Sequence, residues 1–576
     1  MKNNNNYPVI FGKYSFKESS NKIFISQLGD SKEILQLKDE TSQNKFILFG
    51  RVYTPIKVNH YEADINQKLQ KLSKTDLKNL QGSFIHIKAI NGTTLKISTD
   101  KYGFKPLFYY HHNNELYFAT HLSGLKKLLN NKLPEISTDA LLHYYNFGFT
   151  SNNQTLLEGI YKIPPGSTLT IENNSFKISP YFDLVDLYQP DKYQQYTEKE
   201  LATTIDNYLL DSIKSQIPAN SKAVGLSISG GVDSGYIAQK IVQCNVPLIS
   251  YNLAYGDYYD EFSRVDFLAK NLNIEVKKLT LTAEQIINNF EQVNAFSSEP
   301  IGLNNATMRF VVKAAQQDNV TTLFDGDGAD RLFLGMNRQL QYKKIINLYH
   351  ILKKLQLLPI AQQFLKNIPN NEFKKLYINF QNWNNGLCPY PERDMGGLKK
   401  YDQQYEQKLY DLAIKNYRTQ FETKFGTKEF GKFFTYQSIL MCPEMFFSAP
   451  SEIQTQLQQF PVSAFWSDQM VSLALSLDTK WKLKKNTTKY ILRKAAAKNL
   501  DPKYWMLPKI GLQNAYHYLN QSSQNWITEQ RKKVQASDEY KILQNLLPNT
   551  EVQADKLISL IIWKQQNEIT THSTDN

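Results

Sequence analysis

A short loop, residues 227–234 with the sequence SISGGVDS, constrains the fold of this chain more than any other stretch. An apolar run, 223–226, precedes the loop, and residues that favour a helix, 235–242, follow it. The pattern therefore predicts a strand, a glycine turn and the first turn of a helix. In such a turn the backbone N–H groups and the positive end of the helix dipole converge on one point, where an anion can bind.

The polar residues of this loop indicate which anion binds there. Ser229 and Ser234 add hydroxyl donors, whereas Asp233 would repel a bare phosphate. A divalent cation between the carboxylate and the phosphate removes that repulsion, so we expect Mg²⁺ together with the pyrophosphate part of ATP. The loop lacks the Walker pattern GxxxxGK[ST]. The rival interpretation is a tight turn that contains two glycines by chance.

A second motif, residues 324–333 with the sequence FDGDGADRLF, also follows a predicted strand. A calcium loop of the EF-hand kind that began at Asp325 would need an oxygen ligand at its fifth position, glycine at its sixth and glutamate at its twelfth. The chain has alanine, aspartate and methionine there. An acidic surface turn remains an alternative. We expect instead that Asp330 and Asp233 hold Mg²⁺ against pyrophosphate.

A third motif, residues 508–512 with the sequence PKIGL, contains Lys509, and the segment 489–493, KYILR, precedes it. A lone lysine is usually a solvated side chain. Adenylation of a carboxylate, however, passes through a transition state with extra negative charge at the α-phosphate, and a fixed ammonium group stabilises that charge. Lys509 is therefore a candidate catalytic residue.

The order of the predicted elements divides the chain into two regions. Residues 1–195 are predicted to be mostly β, with hairpin turns at Asn91-Gly92 and around Asn113-Asn114. After a polar linker, 188–198, strand candidates alternate with helices, which predicts a parallel sheet with helices on both faces. Ligands of such sheets bind beyond the carboxyl ends of the strands, where the SISGGVDS loop lies. From about residue 336 onward the chain is predicted to be helical.

Composition excludes several other classes of protein. The 576 residues include three cysteines without a CxxC pair, so neither a zinc site nor a disulfide framework is indicated. No run approaches 18 apolar residues and no apolar segment follows the first residues, so we expect no membrane-spanning helix, no signal peptide and a cytoplasmic location. The net charge of +13 is spread along the chain. We expect no nucleic-acid or membrane partner, and we expect lysine-rich segments such as 482–485 to be solvated.

The three motifs together resemble the synthetase domain of the asparagine synthetase family, over residues 200 to 530. Upstream, residues 100–109, DKYGFKPLFY, are similar to that family's signature DRxGxKPLYY, and residues 159–166, GIYKIPPG, are similar to its GIxxLPPG. The resemblance implies an α/β protein of two domains. The first, 1–195, would be a four-layer αββα class II glutaminase domain of the Ntn-hydrolase kind. The second, 196–576, would be a parallel-sheet domain like the adenine-nucleotide α-hydrolases, with a helical extension.

The same resemblance implies ATP and Mg²⁺ as cofactors. Asp233 and Asp330 would hold the metal, and Leu226 and Asn252, at the ends of the first two strands of the second domain, would lie near the adenine and the ribose. The residues expected to contact the nucleotide are Leu226, Ser227, Ser229, Gly230, Gly231, Asp233, Ser234, Asn252 and Gly326.

The chain departs from the family at the residues that hydrolyse glutamine. The family's glutaminase uses a cysteine at residue 2, whose free α-amine activates its own thiol. This chain has Lys2, and its first cysteine is Cys244. The family's oxyanion stretch, NGExY, is replaced by residues 49–53, FGRVY. We therefore expect no glutaminase activity and an amine that comes from ammonia or from the substrate itself.

Two branches of the family have lost the glutaminase in this way, the β-lactam synthetases and the lasso-peptide macrocyclases. Residues 334–338, LGMNR, and Arg331 are similar to these branches rather than to true asparagine synthetases. The β-lactam synthetases remove the amine proton with a Tyr–Glu pair. Glu444 lies where their glutamate falls, but Asp327 occupies the tyrosine position. The resemblance therefore implies Lys509, Glu444 and Asp327 as catalytic residues, and the aspartate disfavours the small-ring branch.

The leading hypothesis is an ATP-dependent macrocyclase that adenylates an Asp or Glu side chain of a ribosomally made peptide, which the peptide's own N-terminal amine then attacks. Its partners would be the precursor peptide, a leader-peptide-binding protein and a protease. Helices between 340 and 435 could form the wall of a groove that binds the peptide. One alternative is a small-molecule synthetase, either an ammonia-dependent asparagine synthetase or a β-lactam synthetase. The other is an inactive homologue that serves as a binding scaffold.

Overall fold

A computed structural model gives the fold of most of the chain, as two regions that share a hydrophobic interior. The residues that the structure describes are 9–16, 23–28, 34–38, 45–53, 74–150, 153–219, 221–256, 262–368, 376–377, 380, 416–427, 429–443, 447–497, 515–547 and 551–569.

The N-terminal region consists of two antiparallel sheets. Its strands are β1 (Val9–Ser15), β2 (Ile23–Leu28), β3 (Ile34–Lys38), β4 (Lys45–Tyr53), β5 (Gln81–Ile90), β6 (Thr94–Thr99), β7 (Phe108–His112), β8 (Glu115–Ala119), β9 (Ile160–Lys162), β10 (Ser167–Glu172) and β11 (Ser175–Pro180). One sheet has the order β2–β1–β8–β7–β9, and the other has the order β11–β10–β6–β5–β4–β3.

Both faces of the first sheet are buried, as the alternation along β1 shows. Ile10 and Tyr14 point into a core shared with the second sheet, whereas Val9 and Phe11 point the other way. Two helices, α2 (Leu122–Leu128) and α3 (Thr138–Phe147), cover that outer face. Helix α1 (Lys74–Asn79) packs through its residue Leu77 on the outer face of the second sheet. The layers are helix, sheet, sheet and helix, which confirms the predicted αββα architecture.

Asparagine-rich turns join the hairpins of this region at the predicted positions. Asn91 and Gly92 connect β5 to β6 with φ angles of 48° and 66°, and Asn113 and Asn114 connect β7 to β8 with φ angles of 50° and 61°. Left-handed backbone of this kind suits tight hairpin turns, and asparagine and glycine adopt it at low cost.

The predicted linker, 188–198, is mostly exposed but is attached to the rest of the protein at two points. Tyr193 is only 3% exposed, and the backbone N–H of Gln189 donates to Ser476 Oγ at 2.9 Å. The next helix, α4 (Glu198–Gln216), begins with a capping box in which Thr197 and Glu200 satisfy each other's backbone N–H groups.

The C-terminal region is built on a parallel sheet, as the sequence predicts. Its strands are β12 (Val224–Ser227), β13 (Leu248–Tyr255), β14 (Glu275–Leu281), β15 (Thr322–Phe324) and β16 (Phe460–Pro461), in the order β14–β13–β12–β15–β16. Helices α5 (Val232–Gln243), α6 (Phe262–Leu272), α7 (Ala283–Phe296) and α8 (Leu303–Gln317) connect the first four strands. The strand order reverses beside β12, so the loop after β12 lies at the point where such sheets bind ligands.

The rest of the described chain is largely helical, which confirms the prediction for the residues after 336. Its helices are α9 (Ala329–Leu332), α10 (Asn337–Lys354), α11 (Leu358–Lys366), α12 (Asn416–Phe425), α13 (Phe430–Cys442), α14 (Ser448–Gln456), α15 (Asp468–Ser476), α16 (Thr479–Lys482), α17 (Tyr490–Ala496), α18 (Ala515–Ser522), α19 (Gln524–Gln535), α20 (Asp538–Leu546) and α21 (Ile558–Asn567). Short 3₁₀ turns occur at Leu184–Leu187 and Ala554–Leu557. Over the ranges described above, no helix has the length and apolar character needed to cross a bilayer.

Candidate active site

The loop between β12 and α5 is closed by its own serines. The backbone N–H of Ser229 donates to Ser234 Oγ at 3.0 Å, and that hydroxyl donates to the Ser229 carbonyl at 3.0 Å. Gly231 N–H donates to Ser229 Oγ at 3.3 Å. The two hydroxyl groups predicted to bind phosphate therefore also fix the shape of the loop, just before α5 begins at Val232.

Gly230 is required in this loop because of a neighbouring helix. A Cβ atom at this position would lie 2.6 Å from Cβ of Arg264 in α6, closer than two carbon atoms can approach. The glycine thus lets an arginine side chain lie against the loop. No sequence motif indicated Arg264, because the contact joins two separate elements of the chain.

The two residues predicted near the adenine and the ribose lie on adjacent strands beneath the loop. Leu226 is fully buried in β12, so its side chain belongs to the core, and it is paired in the sheet with Ser250 of β13 and Phe324 of β15. Asn252 is 2% exposed, and its Nδ2 donates to the Ile228 carbonyl at 2.8 Å. It lies within β13, which continues to Tyr255, and not at the strand end as expected. Asn252 therefore braces the base of the loop.

The second motif meets the first where β15 runs beside β12. A Cβ atom at Gly326 would lie 3.3 Å from Cβ of Asp233 and 3.4 Å from the backbone nitrogen of Ser234. Gly328, with φ of 97°, lies against Trp466, and a Cβ atom there would be 2.7 Å from Trp466 Nε1. The predicted juxtaposition of the two motifs is thus present in the structure.

Lys489 joins the two aspartates that were predicted to hold the metal. Its Nζ lies 2.8 and 2.7 Å from the two carboxylate oxygens of Asp233 and 2.7 Å from Oδ1 of Asp330. The lysine side chain is 2% exposed. Burial disfavours its charged form, but the two carboxylates outweigh burial and hold the pKa of Lys489 above its usual range.

The sequence drew attention to the segment KYILR only as the one that precedes Lys509. Lys489 has φ of 52° and precedes α17 directly, and left-handed backbone is uncommon for lysine. In this conformation the side chain extends to Asp233 and Asp330, which follow the carboxyl ends of β12 and β15. The sequence predicted that Asp233 and Asp330 come together, and the tertiary structure adds Lys489 to them.

The two aspartates fit a divalent cation that is also bound by phosphate. Carboxylate oxygens are the donors that Mg²⁺ prefers, and a positive group already lies within 2.8 Å of both carboxylates. In the part of the chain that the structure describes, no group of three or more His, Cys, Asp or Glu side chains could hold a metal ion. This agrees with Mg²⁺ that is held by one or two carboxylates together with substrate phosphates. Binding of Mg²⁺ at Asp233 and Asp330 stays a prediction.

A carboxylate pair in the acidic motif has the properties of a proton acceptor. Asp325 Oδ1 accepts the backbone N–H of Asp327 at 3.1 Å. Burial, and then the charge of Asp327, raise the pKa of Asp325 to about 7. A carboxylate that titrates near neutral pH can accept a proton from an attacking amine. The sequence pointed to Asp327 for this task. The structure adds its neighbour Asp325 as a second member of the pair, and Asp327 stays a predicted catalytic residue.

Glu444 and Lys509, the other two predicted catalytic residues, lie outside the described residues. The structure does describe Pro443 and Phe447, which border the segment 444–446. A Cβ atom at Gly103 would lie 3.0 Å from Pro443, and the ring of Phe104 stacks on Phe447 at 4.3 Å between centroids. The N-terminal region therefore holds both ends of the segment that carries Glu444.

Lys482 contradicts the expectation that segment 482–485 is solvated. Its side chain is fully buried, and its Nζ donates to Thr435 Oγ1 at 2.6 Å and to the Ala474 carbonyl at 2.5 Å. Burial lowers the pKa of Lys482 to about 7. The prediction was wrong because helix α16 packs its last residue between α13 and α15, which the local lysine-rich sequence does not indicate.

The motifs of the N-terminal region face the C-terminal region. Arg51, from the stretch that replaces the family's oxyanion residues, donates to Thr322 Oγ1 at 3.4 Å. Lys105 Nζ donates to Thr455 Oγ1 at 2.9 Å and lies 4.4 Å from the ring centroid of Phe49. These cations therefore occupy the boundary between the two regions.

A cavity of 390 Å³ lies at the same boundary. Its charged lining residues are paired, since Lys101 bonds to Asp468 and Lys424 bonds to Asp183. The remaining lining residues are mostly apolar or aromatic, namely Tyr102, Pro164, Pro165, Ile178, Pro180, Phe182, Leu184, Tyr417, Tyr436, Ile439, Leu440 and Pro443. The ring of Tyr102 lies 5.7 Å from that of Trp466, which packs on Gly328, so one wall of the cavity adjoins the acidic motif.

Comparison with protein families gives two matches along the chain. The sequence model of a family described as "Asparagine synthase" matches residues 204–409 and 463–562, together more than half of the chain. A model described as "Glutamine amidotransferase domain" matches residues 65–182. The matched segments fall in the parallel-sheet region and in the two-sheet region respectively.

Among curated proteins, the chain is similar to "Asparagine synthetase [glutamine-hydrolyzing] 1" of Bacillus subtilis, with 25% identity over 461 residues that cover 76% of this chain and 68% of that protein. It is also similar to "Amidase chry2" of Gibberella zeae, with 25% identity over 45% of this chain and 40% of that protein. Among solved structures, a glutamine PRPP amidotransferase from B. subtilis matches 48% of this chain and 85% of its own, at 9% identity and a TM-score of 0.21. A TM-score this low does not establish that the two proteins share a fold.

Proposed function

Because the chain belongs to the asparagine synthase family, and is thus an ATP-dependent carbon–nitrogen ligase, we propose that it is a peptide macrocyclase. It would join the N-terminal amine of a ribosomally made peptide to an Asp or Glu side chain of the same peptide, and it would not hydrolyse glutamine. One observation carries the proposal. Asp233, Asp330 and Lys489, which we propose help to activate the carboxylate, lie together beside the glycine loop, whereas Arg51, from the stretch that differs from the family's oxyanion residues, contacts Thr322 of the C-terminal sheet.

In the first half-reaction, a substrate carboxylate oxygen bonds to the α-phosphorus of ATP and pyrophosphate leaves. ATP supplies the adenylyl group, and Mg²⁺ at Asp233 and Asp330 would neutralise charge on the phosphates. Two carboxylates and the ammonium of Lys489 leave one negative charge in the cluster, which suits a divalent cation that is shared with phosphate. The loop N–H groups and Arg264 would orient the departing pyrophosphate.

In the second half-reaction, the amine nitrogen bonds to the activated carbonyl carbon and AMP leaves. The nitrogen must lose a proton, and Asp325, whose pKa is raised to about 7, can accept it. Asp327 and Glu444 stay candidates for the same step, and Lys509 stays a candidate for charge stabilisation. We propose that the adenine and the ribose bind near Leu226 and Asn252, beneath the loop.

The cavity at the boundary supports a peptide as the substrate. A binding site for free aspartate would need charged side chains that are not already in ion pairs. In this cavity, Lys101 and Lys424 are both held in ion pairs. Apolar and tyrosine side chains instead suit the side chains of a peptide. The alternative is a small-molecule synthetase, either an ammonia-dependent asparagine synthetase or a β-lactam synthetase. We further propose the cytoplasm as the compartment, with a leader-peptide-binding protein and a protease as partners.

The test supplies the purified protein with ATP, Mg²⁺ and a linear precursor peptide, and follows pyrophosphate release together with peptide mass. The expected product has lost one water and resists aminopeptidase. An N-terminally acetylated peptide, and a peptide with the acceptor acid replaced by its amide, should give no ring. Lys489→Met should slow pyrophosphate release at least ~100-fold.

Several outcomes would overturn the proposal. Faster pyrophosphate release with aspartate and ammonia than with any peptide would favour the small-molecule alternative. Glutamate production from glutamine would contradict the loss of the glutaminase. If Lys489→Met and Asp233→Asn retained the full biological activity, the chain would be a scaffold.

A further inference from the structure

The helical hairpin of α10 and α11 forms a small unit of its own at the edge of the C-terminal region. Tyr349, Leu358, Leu365 and Phe380 form a hydrophobic cluster that is separate from the larger cores. Helix α11 packs mainly against α10. The first half of α10 is anchored in the body of the chain, because Tyr342 belongs to the larger core and its ring lies 6.2 Å from that of Phe434. The second half of α10 and helix α11 extend from that anchor.

The hairpin exposes large apolar side chains to an unusual degree. In the described part of the chain, eleven large hydrophobic residues are exposed, and six of them lie between residues 348 and 364. The four most exposed are Ile351, Leu355, Ile360 and Phe364, at 55%, 60%, 66% and 67%. An exposed apolar patch of this kind on a folded protein usually marks a binding surface.

The charged side chains of the hairpin itself all have the same sign. Residues 337–366 contain six Lys and Arg residues and no Asp or Glu. Lys344, Lys353, Lys354 and Lys366 are exposed on the two helices. Bulky apolar side chains combined with lysines are typical of segments that lie in the headgroup region of an anionic bilayer.

We propose that this hairpin docks the protein on an anionic membrane surface, with its tip inserted among the headgroups. The chain turns between α10 and α11 through Gln356, with φ of 59°, and exposed leucines lie on either side of this turn at the tip. The exposed lysines on the two helices complement the negative charge of anionic headgroups, which favours a lipid surface as the occupant. A second copy is disfavoured because two such basic patches would repel each other.

This proposal replaces the sequence-based expectation of no membrane partner, which rested on the absence of a long apolar run. A hairpin that lies in the interface needs no spanning length, since only its apolar edge enters the boundary between headgroups and acyl chains. The inference is independent of the proposed macrocyclase activity, because none of the hairpin residues belongs to the site described above.

The experiment is co-sedimentation of the full chain with vesicles of phosphatidylcholine alone and of phosphatidylcholine with phosphatidylserine. We expect binding to the anionic vesicles, weak binding to the neutral ones, and release as salt is raised. The double variant Ile360→Ser/Phe364→Ser should reduce the affinity about tenfold or more. Lys353→Glu/Lys354→Glu should reduce it roughly tenfold or more.

Each variant has a matched control. Phe24→Ser/Phe267→Ser removes two exposed rings elsewhere, and Lys532→Glu/Lys533→Glu reverses two exposed lysines that likewise end a helix. Both controls should bind like the wild type, and circular dichroism should show that all four variants are folded. Absence of binding to anionic vesicles, or equal losses in variants and controls, would overturn the proposal. So would capture of an acidic amphipathic peptide, or self-association, through this patch with no vesicle binding.

Discussion

At the scale of single residues, the acidic motif illustrates how an environment assigns a role. Asp325 and Asp327 are two positions apart and chemically identical, yet burial and the charge of Asp327 raise the pKa of Asp325 to about 7. A proton acceptor must be deprotonated to work, so ring formation by Asp325 should fall as pH drops through 7.

Asp327→Asn tests this assignment. The substitution removes the charge that helps to raise the pKa of Asp325, so the acidic limb of the rate profile should move to lower pH. The measurement is kcat for ring closure against pH. Glu452→Gln is the control, because the pKa of Glu452 is also raised to about 7 by burial but Glu452 lies away from the acidic motif, beside Ser298. An acidic limb that shifts in the control and not in Asp327→Asn would refute the role of Asp325.

At the scale of elements, short helix α16 shows a charged residue used as a packing residue. Lys482 ends this helix and is buried against Thr435 of α13 and Ala474 of α15. The hydroxyl of Thr435 donates to the Gly431 carbonyl at 2.9 Å within α13, and it also lies 3.4 Å from the Leu332 carbonyl, at the end of the short helix that carries Asp330. The packing of α16 is thereby connected to the helix beneath the site.

The buried lysine predicts a pH dependence of stability. Its folded pKa of about 7 lies below the value of about 10.5 for an exposed lysine, so between these pH values the unfolded chain binds more protons. The contribution of Lys482 to stability therefore rises with pH above 7 and is lost as pH falls through 7. Lys482→Met should flatten the dependence of the urea midpoint on pH between 6 and 10.

The matched control for this prediction is Lys485→Met, because Lys485 belongs to the same lysine-rich segment and is exposed. Its pH dependence should match that of the wild type. If Lys482→Met left the pH profile unchanged, the buried lysine would not be the group that titrates.

At the scale of the whole molecule, the two regions fold around common hydrophobic clusters. One cluster contains Phe84 and Tyr102 from the N-terminal region together with Leu226 and Phe324 from the strands of the C-terminal sheet. Such a shared interior predicts that the regions unfold together, in one transition, and that neither is stable alone.

The ion pair of Lys101 with Asp468 tests this coupling. Lys101 is 2% exposed, so Asp468→Ala would leave a buried charge without its partner and should cost about 3–5 kcal/mol. Asp555→Ala breaks the Arg531–Asp555 pair, in which both side chains are about 40% exposed, and should cost at most about 1 kcal/mol. Urea unfolding followed by tryptophan fluorescence and by circular dichroism measures both. Two separate transitions in the wild type would contradict a shared core.

The sequence by itself determined the local features of this protein. Asn91-Gly92 and Asn113-Asn114 predicted their hairpins, and the strand, glycine loop and helix around Asp233 were predicted correctly, because these features depend on neighbouring residues and on regular periodicity. The family motifs likewise identified the acidic segment that meets this loop, since β12 and β15 are adjacent strands.

Only the tertiary structure decided which charges meet. Lys489 bridges Asp233 and Asp330, and Arg264 lies on Gly230, although no local pattern connects these positions. Local sequence also predicted Lys482 to be solvated, and packing buried it. The physical reason is that charge pairing and burial depend on atoms from elements far apart in the chain. The pKa of a side chain and the partner of an ion pair therefore follow from the packed fold.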